Sequence, residues 1–131
     1  MHKTSREGAA FIRELIGCLG EIKDRQVMVA PPFTGLAEAV QAVAGSSLAV
    51  AAQDVFWEKE GAYTGEVSAA MLADLGVHAV IVGHSERRRY FGETDEWVAK
   101  KAAAALGHGL APIICVGEGE EERVAGETFA V

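Results

Sequence analysis

The chain has few of the residues that mark secreted, metal-binding or membrane-spanning proteins. Its 131 residues include two cysteines and three prolines. The cysteines, Cys18 and Cys115, are far apart and fit no zinc or CxxC spacing, so we expect two reduced, mostly buried thiols and no metal site. No apolar run approaches the roughly 20 residues of a membrane span, and the first residues lack the apolar stretch of a signal peptide. These absences predict a cytoplasmic protein without a membrane partner.

Positive charge is also scarce. The chain has 12 Lys and Arg residues against 19 Asp and Glu residues, which gives a formal net charge of −7. A nucleic-acid-binding protein needs a basic surface that faces the phosphates, so we expect no nucleic-acid partner. The balance remains compatible with an anionic small molecule, because one local positive pocket is enough to bind it.

Four short apolar runs divide the chain, at residues 27–30, 48–52, 77–82 and 110–116. None of them alternates regularly between apolar and polar residues, which is typical of strands that are buried on both faces of a parallel sheet. Segments with helical periodicity lie between the runs. The alternation predicts an α/β fold, but periodicity alone leaves both a doubly wound sheet and a (β/α) barrel open. A sheet of four parallel strands would also leave two edge strands unpaired.

The helical segments carry recognisable start signals. Thr4 and Glu7 fit a capping box before the first helix, which we expect to end at Gly20. The next three helices are predicted to begin after the N-cap residues Thr34, Ser68 and Thr94, and a fifth begins near Glu120. The apolar positions that we expect to face inward in the first, second and fourth helices are Ile12, Leu15, Ile16, Leu19, Leu36, Val40, Val43, Val98, Ala102 and Leu106.

The junction after the third run carries the clearest chemical signal. In parallel α/β folds, functional residues follow the C-terminal ends of the strands, and here Gly83 is followed at once by His84. At a helix N-terminus the dipole and the free N–H groups disfavour a protonated imidazole. A neutral ring could donate a hydrogen bond to a substrate oxygen that is gaining charge, or it could simply cap the helix. His78, inside the apolar run, is expected to be a satisfied core histidine.

Several segments together resemble one enzyme family. The segment Val-Ile-Val-Gly-His-Ser-Glu-Arg-Arg at 80–88 closely resembles the fourth-strand segment of triosephosphate isomerases, and Gly-Ala-Tyr-Thr-Gly-Glu-Val-Ser at 61–68 is similar to their third loop. Residues 30–33, 52–55 and 112–118 match three further family segments in the same order. Several motifs in order are more specific than any one of them.

The resemblance implies a fold and an activity. The fold is the (β/α)8 TIM barrel, present here as an incomplete barrel of about four strands, the second to the fifth, in a single partial domain over residues 1–131 that is truncated at both ends. The family interconverts dihydroxyacetone phosphate and glyceraldehyde 3-phosphate through an enediolate, in glycolysis and gluconeogenesis. The substrate is thus a small phosphorylated triose, and the resemblance implies no cofactor.

The resemblance also assigns roles to individual residues. His84 would be the electrophile, Glu86 would pair with the catalytic lysine, and Ser85 would help to hold His84. Cys115 would be a buried packing residue near the active site. The family is homodimeric, and one loop of each subunit enters its neighbour, with Arg87 as an ion partner for Glu66. The dimer-interface residues implied are Gln53, Tyr63, Thr64, Gly65, Glu66 and Arg87. Asp54 would flank this interface, at a position where the family often has asparagine.

Other parts of the family's active site have no match in the chain. By resemblance, the catalytic lysine would lie immediately before Met1, and the glutamate base, the lid and the phosphate-binding loops would come after Val131. We therefore expect that the 131 residues alone have no isomerase activity, because proton abstraction requires a positioned base. Two alternatives stay open: a non-catalytic half-barrel that acts by association, and another phosphosugar enzyme on the same barrel.

Overall fold

The structure, a computed structural model, describes residues 1–20 and 24–128. Helices and strands alternate along the chain as the apolar runs predict. The helices are α1 (Ser5–Leu19), α2 (Leu36–Val43), α3 (Ala69–Asp74), α4 (Ser85–Phe91), α5 (Asp95–Gly107) and α6 (Glu120–Val124), with a 3₁₀ turn at Phe33–Gly35. The strands are β1 (Val27–Val29), β2 (Leu48–Ala52), β3 (Ala79–Val82) and β4 (Ala111–Ile114).

The four strands form one parallel sheet in the order β1-β2-β3-β4. Each strand therefore pairs with the next one along the chain, through helical connections. A doubly wound sheet reverses its strand order at a switch point, whereas a barrel adds each strand on the same side. The observed order is that of a partial (β/α)8 barrel, and it decides between the two architectures that periodicity left open.

The core lies along the two central strands. Val50, Ala52, Val80 and Val82 are fully buried and pack with apolar residues of α1, α2, α3 and α5. The outer strands are less covered, since β1 is half-buried and the β4 residue Ile114 is 50% exposed. This contrast agrees with the expectation that both edges of a four-stranded parallel sheet lack a neighbour.

The predicted helix starts are confirmed except at Thr34. The carboxylate of Glu7 accepts 2.7 Å hydrogen bonds from the N–H and the hydroxyl of Thr4, and Ser68 and Thr94 cap α3 and α5. The prediction for Thr34 is wrong. Pro32 leads into the 3₁₀ turn, in which the Gly35 N–H bonds the Pro32 carbonyl at 2.9 Å, so Thr34 lies inside this turn and α2 starts only after it, at Leu36.

Three burial predictions are also wrong. Leu106 is 65% exposed because Ala105 occupies the inward position on α5. Cys18 lies on the exposed side of α1, away from the buried Ile12. His78 precedes β3, where its backbone bonds Val50 and Ala111 at 2.9 Å while its side chain is exposed. Among the described residues, no helix is long and apolar enough to cross a membrane.

Candidate functional site

The candidate site lies at the C-terminal ends of β2 and β3. His84 borders two cavities there. One, of about 450 Å³, is also lined by Gln53, Glu86, Arg87 and Phe91. The other, of about 690 Å³, extends past Cys115 to the residues after β4. Cys115 is half-buried in this second cavity, which agrees with a packing position near the site rather than with full burial. The imidazole thus faces space on both sides.

Gly83 makes the turn between β3 and His84 possible. Its φ of 74° is in the left-handed region that favours glycine. A Cβ at this position would lie 3.1 Å from Cγ2 of Val98 and 3.3 Å from the carbonyl oxygen of Cys115. Charged side chains bind both backbone polar groups of Gly83. Its N–H donates to Oε1 of Glu93 at 2.8 Å, and its carbonyl accepts from Nε of Arg88 at 3.0 Å. The backbone that precedes His84 is therefore firmly oriented.

His84 is the N-cap of α4, as the sequence predicts. Its Nδ1 accepts a 3.3 Å hydrogen bond from the N–H of Glu86. An accepting Nδ1 carries no proton, so this geometry corresponds to a neutral ring with its proton on Nε2. The nearest carboxylate oxygen of Glu86 is 3.7 Å from Nδ1, too far for a hydrogen bond. The imidazole side chain is 44% exposed.

Four charged side chains form a closed ring behind this turn, which we call the charge ring: Asp54, Arg87, Glu93 and Lys101. The Lys101 ammonium lies 2.6 Å from Oδ1 of Asp54 and 2.8 Å from Oε2 of Glu93. The Arg87 guanidinium lies 2.9 Å from Oδ2 of Asp54 and 2.8 Å from Oε2 of Glu93. The ring contains two cations and two carboxylates. Only Arg87 is notably exposed.

The charge ring controls the ionisation of Glu93. Burial raises the pKa of this carboxyl, but hydrogen bonds from Lys101, Arg87 and the Gly83 N–H outweigh burial and hold the pKa below its usual value. The carboxylate is therefore kept charged in a buried position, where an unpaired charge would be strongly unfavourable.

The residues assigned to the active site by resemblance occupy one turn. Ser85 and Glu86 follow His84 in the first turn of α4, and both are exposed. Gln53 follows β2 and its amide donates a 2.8 Å hydrogen bond to the Ala30 carbonyl, so it links the ends of β1 and β2. His84, Glu86, Gln53 and Arg87 thus line one cavity.

The other predicted interface residues form a separate, exposed loop. The Glu66 N–H donates to the Tyr63 carbonyl at 3.0 Å, and Gly65 has a φ of 97°, as in a type II turn. The Tyr63 ring packs against Phe56 with centroids 4.7 Å apart. Thr64 lies at the exposed tip of the turn.

The predicted pairing of Arg87 with Glu66 is not needed to neutralise Arg87. Within the chain, Asp54 and Glu93 already bind its guanidinium. Pairing across two subunits stays a prediction. Asp54, which was expected to flank the interface, is buried in the charge ring, and its place beside an interface stays a prediction.

Sequence reasoning missed Glu93 and Lys101. A usable signal was present on α5, because Lys101 follows Val98 by three residues and so falls on the inward face of the helix. A lysine at a core position predicts a buried carboxylate partner. In residues 1–20 and 24–128, no group of three or more His, Cys, Asp or Glu side chains is placed to hold a metal ion.

The chain as a whole is similar to one family of known proteins. A family model described as triosephosphate isomerase matches residues 1–131. The chain is similar to the triosephosphate isomerase of Thermoanaerobacter pseudethanolicus, with 50% identity over 131 residues, all of this chain and 52% of that protein. It is 55% identical to that of Carboxydothermus hydrogenoformans over 131 residues, again all of this chain and 52% of the relative. The chain therefore spans about half the length of the curated relatives that it matches.

Proposed function

The chain belongs to the triosephosphate isomerase family, and we propose that it supplies the electrophilic half of an active site that interconverts dihydroxyacetone phosphate and glyceraldehyde 3-phosphate. In this reaction a base removes a proton next to the substrate carbonyl while a hydrogen-bond donor stabilises the charge that develops on the carbonyl oxygen. In triosephosphate isomerase a neutral histidine acts as the electrophile that polarises the substrate carbonyl. The proposed donor is Nε2–H of His84.

The observation that carries the proposal is the hydrogen bond from the Glu86 N–H to Nδ1 of His84. It leaves Nε2 as the protonated nitrogen, on a ring that borders two cavities. A donor that is oriented before the substrate arrives needs little reorganisation when charge develops. Glu86 is proposed to pair with a catalytic lysine and Ser85 to support the turn, both by analogy with the family.

A homodimer is part of the proposal. The exposed Tyr63–Glu66 turn is a projecting surface, and the 450 Å³ cavity beside Gln53 and Arg87 is a receiving surface. A two-fold symmetric pair of subunits could place the turn of each subunit in the cavity of the other. We propose a cytoplasmic enzyme that uses a phosphorylated triose.

A hybrid enzyme tests the catalytic proposal. In it, the 131 residues replace the matched half of the Thermoanaerobacter pseudethanolicus isomerase, and isomerisation of glyceraldehyde 3-phosphate is followed in a coupled assay. We expect the hybrid to be active and its His84→Gln variant to lose activity by a factor on the order of 10²–10⁴. The 131 residues alone should give no rate.

The matched control is His78→Gln, because His78 is an exposed histidine at the opposite end of the same strand. It should retain the hybrid's activity. A folded but inactive hybrid, or equal activity in the His84 and His78 variants, would refute the proposal.

One observation favours a second candidate, a half-barrel that acts by association. On β4, Ile113 is 42% and Ile114 is 50% exposed, and an exposed apolar strand edge invites pairing. Sedimentation of the 131-residue chain would separate the two candidates. A discrete oligomer that Ile113→Lys dissociates, together with an inactive hybrid, would favour association.

A further inference from the structure

Four aromatic rings connect the exposed Tyr63–Glu66 turn to helix α5, and we call them the aromatic row: Tyr63, Phe56, Trp57 and Trp97. The Phe56 ring lies 4.7 Å from that of Tyr63 and 4.2 Å from that of Trp57, measured between centroids. The Trp57 ring lies 5.3 Å from that of Trp97, and the two planes are tilted by 55°. Tilted rings at such distances attract each other beyond the effect of area burial. The row therefore links two segments that are far apart in sequence.

The end of the aromatic row on α5 is fixed in place. The Trp97 N–H donates to the hydroxyl of the N-cap residue Thr94 at 3.3 Å, and the next residue, Val98, is buried in the core. Trp97 and Lys100 are three residues apart and share one face of α5. The Lys100 ammonium lies 5.6 Å from the centroid of the Trp57 ring. Two neighbouring side chains of a helix that is anchored in the core thus contact Trp57.

The other end of the aromatic row lies in the exposed turn. A Cβ on Gly61 would lie 2.7 Å from Cε2 of Tyr63, so the tyrosine ring lies against the Gly61 backbone. The Phe56 N–H donates to the Val67 carbonyl at 2.8 Å and closes the base of the loop that carries the turn. Backbone contacts thus shape the loop, and the aromatic row connects it to α5.

We infer that Trp97 is a positioning residue for the Tyr63–Glu66 turn, which it orients through Trp57 and Phe56 without contacting the partner subunit. The inference rests on the proposed function only in taking this turn as the one that docks on a second copy of the chain. A turn that leaves its docking orientation for part of the time binds with an affinity reduced by that fraction. Removal of the Trp97 ring would therefore weaken assembly without abolishing it.

The first test is nuclear magnetic resonance of the isotope-labelled 131-residue chain. In Trp97→Ala we expect the Tyr63 ring signals and the Glu66 amide signal to shift, because both depend on the orientation of the turn, while the helical circular dichroism stays unchanged. Leu106→Ala is the matched control, because it removes a 65% exposed apolar side chain at the other end of α5. It should leave these signals in place. Unchanged Tyr63 and Glu66 signals in Trp97→Ala would overturn the inference.

The second test is sedimentation of the hybrid enzyme. Trp97→Ala should raise the dissociation constant of the dimer by about two- to tenfold, the factor that corresponds to one aromatic pair. Trp97→Phe keeps a ring in the row and should restore most of the affinity, whereas Leu106→Ala should leave the affinity unchanged. Equal dissociation constants in the parent hybrid and in Trp97→Ala would overturn the inference. If the parent hybrid forms no dimer, the homodimer of the proposed function fails, and the magnetic resonance test still decides whether Trp97 orients the turn.

A double variant separates positioning from direct contact with the partner subunit. Trp57→Ala interrupts the aromatic row between Phe56 and Trp97. If Trp97 acts only through the row, adding Trp97→Ala to Trp57→Ala should change the dissociation constant by less than about twofold, because the effects of coupled side chains do not add. A further loss as large as that of Trp97→Ala alone would show that Trp97 contacts the partner directly and would refute positioning.

Discussion

The carboxylate of Glu93 accepts a 2.8 Å hydrogen bond from the backbone N–H of Gly83. The two residues are ten apart in sequence, and one is a buried anion whereas the other is a glycine with positive φ. Their contact joins the charge ring to the turn that presents His84. The turn that precedes α4 is thus hydrogen-bonded to charges that lie behind it.

The chain should lose stability at acid pH because the Glu93 carboxylate becomes protonated there. Its pKa is lower in the folded chain than the ordinary value of 4.5. Its contribution to stability is therefore fully present above pH 4.5 and is lost as the pH falls through the folded pKa. We expect urea unfolding to show this loss, and Glu93→Gln to be less stable at pH 7 and less sensitive to acid. A pH dependence in Glu93→Gln equal to that of the parent would contradict this assignment.

Adjacent lysines on α5 should differ sharply in their effect on stability. Lys101 is 2% exposed and contacts two buried carboxylates. Lys101→Met would leave these carboxylates short of a partner, and we expect a loss of about 3–5 kcal/mol in the free energy of unfolding. Lys100 forms an exposed i,i+4 pair with Glu96, so Lys100→Met should cost only about 0.3–0.5 kcal/mol. Similar losses in the two variants, measured by denaturant unfolding, would argue against the charge ring.

Replacing Gly83 should destabilise the chain, whereas replacing a helical glycine should not. Gly83→Ala would place a Cβ 3.1 Å from Val98 at a φ of 74°, with an expected cost of about 1–3 kcal/mol. Gly8 lies in α1, where an added Cβ would meet no atom within 4 Å, so Gly8→Ala should stabilise by about 0.5–1 kcal/mol. Thermal unfolding of the two variants measures both changes in stability. A Gly83→Ala chain as stable as the parent would mean that the turn can relax.

The exposed Tyr63–Glu66 turn should control dimerisation of the hybrid enzyme. Thr64→Arg adds bulk and charge at the tip of the turn, and we expect sedimentation to show a shift toward monomers. Ser47→Arg makes the same change at an exposed position just before β2, and it should leave the assembly unchanged. Dimers of equal stability in both variants would place the interface elsewhere.

Local signals in the sequence predicted much of the fold. The apolar runs gave the strands to within a few residues, and the capping residues Thr4, Ser68 and Thr94 marked three helix starts. The order of the strands could not be predicted from periodicity, because periodicity indicates which residues are buried but not which strands are neighbours. Leu106 and Ala105 show a further limit: both fit an inward position, and only the packing of α5 decides between them.

The candidate site was predicted where it depends on local geometry. His84 could be placed at a helix N-terminus because the glycine before it and the helix after it are adjacent in sequence. The charge ring could not be predicted in the same way. Its longest link joins Asp54 to Lys101 across 47 residues, and nothing near Asp54 in sequence indicates its partner.

The turn at Tyr63–Glu66 has its shape before anything binds to it. One backbone hydrogen bond closes it, and Tyr63 is braced against Phe56. A flexible loop loses conformational freedom when it docks, and this loss subtracts from affinity. Here the hydrogen bond and the contact with Phe56 already restrict the turn in the single chain, so its docking would cost less conformational entropy than that of an unrestrained loop. Its binding rate should then depend on encounter and orientation, with no slow folding step.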